Sequence, residues 1–184
     1  MKGHLPGTAI EAELSDPKQG MMILDGIFSS GGLVLSQVTR LTGIEPHTVQ
    51  NWIKRGYCSP PKAKKYSERQ FCRLVIINML KDSMHLPEIT ELLSKINGQL
   101  NDESDDMIGD ERLYAYFLSI ISRLGASGAP SSAVTAAASE ALADYEEPFA
   151  GGKRRLSRAL EVMTCAYYSH RFREKATLLL AAMD

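Results

Sequence analysis

The sequence lacks the cysteine patterns of disulfide frameworks and zinc sites. Its three cysteines, Cys58, Cys72 and Cys165, lie far apart, and none belongs to a CxxC motif or a Cys/His cluster. Free thiols are typical of a reducing compartment, so we expect a cytoplasmic protein. The sequence also has no run of about 18 apolar residues and no basic segment followed by an apolar stretch at its start. We therefore expect neither a membrane span nor a signal peptide.

Motifs of catalysis are also lacking. The sequence has no Gly-rich phosphate loop and no nucleophile elbow. Its four histidines, His4, His47, His85 and His170, are scattered along the chain. Four carboxylates crowd between 102 and 106 with one serine among them, which is not the spacing of metal ligands on a fixed scaffold. We expect no catalytic residue, no cofactor and no metal.

Charge is present in blocks of opposite sign, although the formal net charge is only −1. Residues 36–81 hold nine Lys or Arg against two Asp or Glu. Residues 82–149 hold three against thirteen, and residues 150–184 hold seven against three. The first block is of the kind that binds a polyanion, a property that the near-zero total conceals.

Apolar spacing predicts helices along most of the chain. Residues 1–16 carry Gly, Pro and charge and are predicted to form a loose arm, or one that orders on contact; a short helix follows over 21–28. Ser67-Glu68-Arg69-Gln70 is a capping box, which predicts a helix start at Ser67. An acidic linker over 101–106 is predicted to separate this part from three C-terminal helical segments, the last of which, over 153–183, is either one long helix or two.

Two short helices that meet at Gly43 predict a helix-turn-helix. Val49, Trp52 and Ile53 share the inward face of the second helix. The side chains left on its outward face are short polar or basic groups: His47, Thr48, Gln50, Asn51, Lys54 and Arg55. Such groups read base edges in the major groove of DNA. The solvated face of an ordinary helical bundle has the same pattern and is the alternative.

A basic segment follows at once. Residues 57–66 contain two prolines, so they are predicted to form a β-hairpin wing rather than a helix. Lys62, Lys64 and Lys65 would neutralise DNA phosphates, and the Tyr66 hydroxyl would bond to one of them. A solubilising surface loop is the alternative reading of this basic run.

Residues 35–61, LSQVTRLTGIEPHTVQNWIKRGYCSPP, resemble the opening of MerR-family regulators. In that family an apolar helix leads to L-T-G, a short recognition helix, and a glycine and proline turn. Lys64-Lys65-Tyr66-Ser67 resembles the family's R-x-Y-[ST] at the end of the wing. Met84-His85-Leu86-Pro87-Glu88-Ile89 resembles its G-x-S-L-x-E-I segment. The resemblance covers about 35–97, and it implies a winged helix-turn-helix that binds double-stranded DNA.

More narrowly, the chain is similar to an uncharacterised bacterial family of unknown function, which places a MerR-like module between a short helix and a helical C-terminal part. Some MerR features are replaced. Lysine stands at Lys64 in place of arginine, Ser83-Met84-His85 replaces a glycine, and no long dimerising coiled coil follows Gly98.

The sequence as a whole predicts an all-α fold with a small β-hairpin wing. An N-terminal arm and short helix span 1–34, a winged helix-turn-helix DNA-binding domain spans 35–98, and a helical C-terminal domain for dimerisation or effector binding spans 106–184. The predicted function is sequence-specific DNA binding by a transcriptional regulator. The alternative is a non-enzymatic protein-interaction module that retains a MerR-like fold.

A homodimer is predicted, because one winged module covers only a short half-site. Its interface is expected from two stripes after residue 106: Leu113, Phe117, Ile121 and Leu124, and Leu156, Leu160, Met163 and Tyr167. The alternative is that the two stripes face each other within one monomer. A binding site for a small-molecule effector is a further alternative for the C-terminal helices. The basic cluster Lys153-Arg154-Arg155 would contact either DNA or the acidic block.

Overall fold

The computed structural model describes residues 2–98, 100, 106–125 and 128–183. Within these ranges the protein is mostly helical with one small antiparallel strand pair, in agreement with the predicted all-α class. The elements are β1 (Lys2–His4), β2 (Glu11–Glu13), α1 (Pro17–Phe28), α2 (Leu35–Thr42), α3 (Pro46–Lys54), α4 (Glu68–Leu80), α5 (Leu86–Asn97), α6 (Asp110–Leu124), α7 (Ser131–Ala141) and α8 (Gly152–Ala181). Of the predicted linker, 101–105 lie outside the described residues.

The N-terminal arm is ordered and packs into the core, so the loose form that the sequence left open is wrong. β1 and β2 pair in antiparallel fashion, with His4 opposite Glu11. The turn between them reaches α4 and α6: the Asn78 amide donates to the Gly7 carbonyl (2.9 Å), and the Tyr114 hydroxyl donates to the carbonyl of the preceding proline (2.7 Å). A Cβ on Gly7 would lie 2.4 Å from the Val75 carbonyl oxygen, so the close approach requires glycine.

Helix α4 is buried around most of its circumference. Its start follows the predicted capping box: the Ser67 hydroxyl accepts from the Gln70 N–H, and the Gln70 side chain accepts from the Ser67 N–H. Nine of its residues are buried: Phe71, Cys72, Arg73, Leu74, Val75, Ile76, Ile77, Met79 and Leu80. Because α2, α5, α6 and α8 all pack against it, residues from both sides of the predicted linker share one core.

The C-terminal part contains one long helix where the sequence left one or two open. The two apolar stripes predicted for a dimer interface face each other across α6 and α8 inside the monomer. Phe117 and Leu160 have no exposed surface, and the rings of Phe117 and Tyr167 meet edge to face at 5.6 Å. A dimer interface on these stripes is therefore wrong, and the monomer-core alternative describes them.

A buried ion pair joins α4 to α6. A guanidinium nitrogen of Arg73 lies 3.3 Å from a carboxylate oxygen of Asp110, and both side chains are at most 7% exposed. Arg69 contacts the other oxygen of Asp110 at 3.8 Å and also pairs with Asp106. Burial raises the pKa of Asp110, and Arg73 partly offsets that rise. The charged pair thus lies in a poorly solvated layer between the two helices.

The raised pKa gives a definite sign to the pH dependence. A carboxyl whose pKa is higher in the folded chain binds its proton more tightly there than in the unfolded chain. The contribution of Asp110 to folding is therefore largest below its unfolded pKa, and it declines as the pH rises through the folded pKa.

We expect Asp110→Ala to lower the free energy of unfolding at neutral pH by about 3–5 kcal/mol, because it leaves the Arg73 guanidinium buried without its carboxylate. Urea unfolding of the purified variant measures the change. The control is Glu91→Ala, which removes an exposed pair with Lys95 on α5 and should cost less than about 1 kcal/mol. Equal losses in the two variants would contradict a special role for the buried pair.

Candidate nucleic-acid interface

A short turn fixes the angle between α2 and α3. Gly43 has a left-handed φ of 71°, and its N–H donates to the Thr39 carbonyl (2.8 Å), which ends α2. The Thr42 hydroxyl donates to the Val38 carbonyl and accepts from the Ile44 N–H (2.8 and 3.2 Å). Pro46 then occupies the first turn of α3, as predicted from the sequence. The turn is thus held by its own hydrogen bonds.

Helix α3 has one buried and one exposed face. Val49 is fully buried and Trp52 is 4% exposed, so the prediction that Trp52 packs in the core is confirmed. Ile53 is half-buried. The opposite face is polar or basic, with Thr48 half-buried and five exposed side chains: His47, Gln50, Asn51, Lys54 and Arg55. All six of the helix residues predicted to read bases therefore lie outside the core.

The segment after α3 forms a minimal hairpin with Lys62 and Lys65 as its bridged pair. The Lys65 N–H donates to the Lys62 carbonyl (2.9 Å). Between them, Ala63 and Lys64 have φ values of 47° and 61°, as a type I′ turn requires. Lys62, Lys64 and Lys65 are all exposed. The hairpin lies where the sequence predicted a wing, but its ladder is a single bridge rather than a pair of strands.

The base of the hairpin is tied to the residues before α2. Leu33 and Tyr66 exchange two backbone hydrogen bonds of 2.9 and 2.7 Å. A Cβ on the preceding Gly32 would come within 2.7 Å of the Tyr66 carbonyl oxygen, so the two chains are in close contact there. Because Leu33 leads directly into α2, this bridge places the hairpin lysines in a fixed relation to α2 and α3.

Tyr66 is a core residue, which corrects its predicted role as an exposed phosphate contact. Its side chain is 3% exposed because the bridge to Leu33 turns it inward, and burial raises the pKa of its hydroxyl. The neighbouring Cys58 is 1% exposed, and burial raises the pKa of its thiol to about 12. With its pKa raised by burial, this core thiol stays protonated at neutral pH, and it is a poor nucleophile because the reactive form of cysteine is the thiolate.

Two further basic residues lie beside α3, and the sequence prediction did not include them. A groove of about 490 Å³ separates Thr48 and Arg55 from the turn before α5, where it is lined by Lys81 and His85. Lys81 is the last residue of the basic block over 36–81, and membership of that block is the sequence signal that links it to this surface. Its position next to α3 depends on the tertiary packing that brings the end of α4 to this groove, and local spacing does not give that packing.

We call the exposed residues His47, Gln50, Asn51, Lys54, Arg55, Lys62, Lys64 and Lys65 the basic face. No Asp or Glu occurs between residues 46 and 66. Its lysine and arginine side chains are thus free of local acidic partners along the chain, and no ion pair involving them occurs among the described residues. The arrangement combines the amide and guanidinium donors of α3 and its C-terminal cap with three ammonium groups on the hairpin.

A metal centre and a membrane-spanning helix are two other features that the described part of the chain could contain. No three side chains of His, Cys, Asp or Glu converge there as metal ligands. Nor does any helix of that part combine the length and apolarity needed to cross a membrane.

Known proteins place the chain in a family. It is similar to the uncharacterized protein YkrK of Bacillus subtilis (strain 168), with 30% identity over 103 residues. That match covers 52% of this chain and 44% of YkrK, so the chain spans less than half of the relative's length. No solved structure matches the chain. The family model of DUF1836, a domain of unknown function, matches residues 17–117, which run from α1 into α6. Since this match covers more than half of the sequence, the protein belongs to the DUF1836 family.

Proposed function

We propose that this protein binds double-stranded DNA in a sequence-specific way and acts as a transcriptional regulator. The observation that carries the proposal is the basic face, which combines a polar exposed side of α3 with three lysines on the adjacent hairpin. In this proposal α3 enters the major groove, and the hairpin lies along the neighbouring phosphates. An α-helix with its side chains is about 10–12 Å across, which suits a groove about 12 Å wide.

Seven of the eight side chains of the basic face have a matching partner on DNA. Arg55 suits a bidentate pair with guanine, and Gln50 or Asn51 suits one with adenine. Lys54 and the three hairpin lysines suit phosphates, which give affinity without reading sequence. The rigid anchoring of α3 through Val49 and Trp52 supports this division, because base contacts need a helix held in one orientation.

We also propose a MerR-like winged helix-turn-helix for residues 35–98. The order of α2, tight turn, α3 and hairpin supports it, as does the backbone bridge from Leu33 to Tyr66. The untwisting of promoter DNA by MerR regulators is not part of the proposal, since that action depends on their dimer geometry. DNA binding by a cytoplasmic, non-catalytic dimer completes the proposal, because two modules double the contacts of one.

A protein-interaction module is the second candidate. The exposed apolar side chains at the end of α8, among them Leu178 and Leu179, favour it. The dependence of binding on salt concentration distinguishes the two functions. Phosphate contacts release counterions, so the logarithm of the DNA association constant falls linearly with the logarithm of the salt concentration. Mobility shift with mixed duplex DNA at two salt concentrations should show this fall. A chain that binds no duplex at low salt contradicts DNA binding and leaves the interaction module.

We expect Lys64→Glu combined with Lys65→Glu to abolish DNA binding without unfolding the protein. Two phosphate contacts become two repulsions, for a loss on the order of a hundredfold or more. Both lysines are exposed, so the melting curve should change little. The control is Lys18→Glu with Lys175→Glu on α1 and α8, which makes the same change in net charge away from the basic face. Wild-type affinity in the hairpin variant would remove the hairpin from the mechanism.

We expect Gln50→Ala and Arg55→Ala to relax sequence preference more than they weaken non-specific binding. Each bidentate base contact contributes about 1–3 kcal/mol of discrimination. Selection of bound sequences from random DNA, followed by titration of the preferred duplex and of a scrambled one, measures both quantities. An equal loss on all duplexes would mean that these side chains hold phosphates and that α3 is wrongly placed in the groove.

A further inference from the structure

A cleft lies behind the hairpin, where the segment after α3 faces the start of α4, the end of α5 and the start of α6. Its volume is about 590 Å³, which is within the usual range for sites of small molecules. Part of its lining is apolar and includes Pro60, Pro61 and Leu100, whereas the rest is polar or charged. The cleft is thus large enough for a small ligand, and its polar groups indicate which kind.

Several polar side chains of the cleft are held by other groups of the protein. The Gln70 amide donates to the backbone carbonyls of Ser59 (3.2 Å) and Pro60 (2.8 Å), which fixes the proline wall against α4. Arg73 and Asp110 form the buried ion pair already described. The walls of the cleft are therefore rigid, and these groups are occupied by contacts within the chain.

Asn97, the last residue of α5, is the exception. It is 3% exposed and lines the cleft, yet neither its amide nitrogen nor its amide oxygen has a hydrogen-bond partner among the described residues. The backbone beside it is fixed, because the Ile96 carbonyl accepts from the Met107 N–H (3.1 Å). Burial of an amide without partners is unfavourable, so a buried group of this kind indicates a bound ligand or water. Asn97 thus offers the cleft an adjacent donor and acceptor.

The described lining of the cleft also carries excess positive charge. Lys62 and Lys65 line it with exposed side chains, and neither forms an ion pair within the described ranges. The two arginines of the lining pair with Asp106 and Asp110. Four cations against two carboxylates leave an excess of two positive charges, which favours an anionic ligand. A phosphate monoester carries about two negative charges at neutral pH and matches this excess.

We propose that this cleft binds an adenine nucleotide, with the base at Asn97 and the phosphate at Lys62 and Lys65. An asparagine amide matches adenine, because each hydrogen-bonding edge of that base places the N6 amino donor next to a ring-nitrogen acceptor. Guanine has two adjacent acceptors, N7 and O6, on one of its edges, so it matches the amide in fewer orientations. The apolar surfaces of Pro61 and Leu100 suit the face of a purine ring.

The cleft shares two lysines with the basic face. If the proposed function holds, a bound nucleotide occupies ammonium groups that DNA phosphates need, so it lowers the affinity for DNA. Mobility shift at matched ionic strength should then show weaker DNA binding with adenosine monophosphate (AMP) than without it. Nucleotide binding itself does not depend on DNA, so the two proposals fail separately.

Isothermal titration calorimetry of the full chain with AMP, in the absence of DNA, tests the site. We expect one AMP per chain, and Asn97→Leu to weaken its binding at least tenfold. Leucine keeps the shape of asparagine and removes the unpartnered amide, so the melting temperature should not fall. Ribose 5-phosphate, which lacks the base, should bind equally to the variant and the wild type.

Two results overturn the proposal. One is a wild-type chain that binds no AMP at about 1 mM. The other is a folded Asn97→Leu variant with wild-type affinity for AMP, since the amide then holds only a water.

Single lysine variants test the phosphate end of the site. We expect Lys62→Ala and Lys65→Ala each to weaken AMP binding at least fivefold and to leave the binding of adenosine, which has no phosphate, unchanged. The control is Lys64→Ala, an equally charged position of the same hairpin that does not line the cleft, and it should change AMP affinity less than twofold. An equal loss in all three variants would mean that AMP binds as an unspecific anion to the hairpin surface, and would overturn the site.

Discussion

Helix α4 is buried around almost its whole circumference, and this constraint determines how the other elements pack. A helix that is apolar around its circumference must be surrounded. Here α2, α5, α6, α8 and the N-terminal turn at Gly7 supply the cover. Its one buried cation, Arg73, requires an anion from a covering element, and Asp110 at the start of α6 meets that need. The module that carries the basic face and the C-terminal helices are thereby held to one core, and the family match from 17 to 117 extends across both.

Elements with local signals could be predicted from the sequence. Gly43, Pro46 and the Ser67 capping box each define a helix end through atoms a few residues away, so α2, α3 and the start of α4 could be located. The N-terminal strands could not, because three-residue strands are too short for a period and their packing depends on contacts of Gly7 with Val75 and Asn78. That α8 is one continuous helix agrees with the absence of Gly and Pro between 153 and 183. The point where its buried face ends, at Tyr168, depends on the helices packed against it and could not be predicted.

The same distinction applies to the candidate site. The exposed side of α3 could be predicted from helical periodicity alone, because Val49 and Trp52 fix the inward direction. Tyr66 could not, since its burial depends on the bridge with Leu33, more than thirty positions earlier. Lys81 and His85 join the surface only through the crossing of separate helices. Periodicity thus identifies which side chains leave the core, whereas the neighbours they meet at the surface depend on tertiary packing.

The left-handed backbone at Lys64 has an energetic consequence. Glycine or asparagine occupies such turn positions with little strain, and another residue pays a conformational penalty of about 1 kcal/mol or more. In return the ammonium group sits at the tip of a hairpin whose backbone is already fixed by the Lys62–Lys65 bridge. Because this backbone is already fixed, binding of an anion at the tip would remove little further conformational entropy from the hairpin. Less of the favourable binding free energy would then be offset by ordering of the loop. The chain thereby accepts strain in folding and lowers the entropic cost of binding.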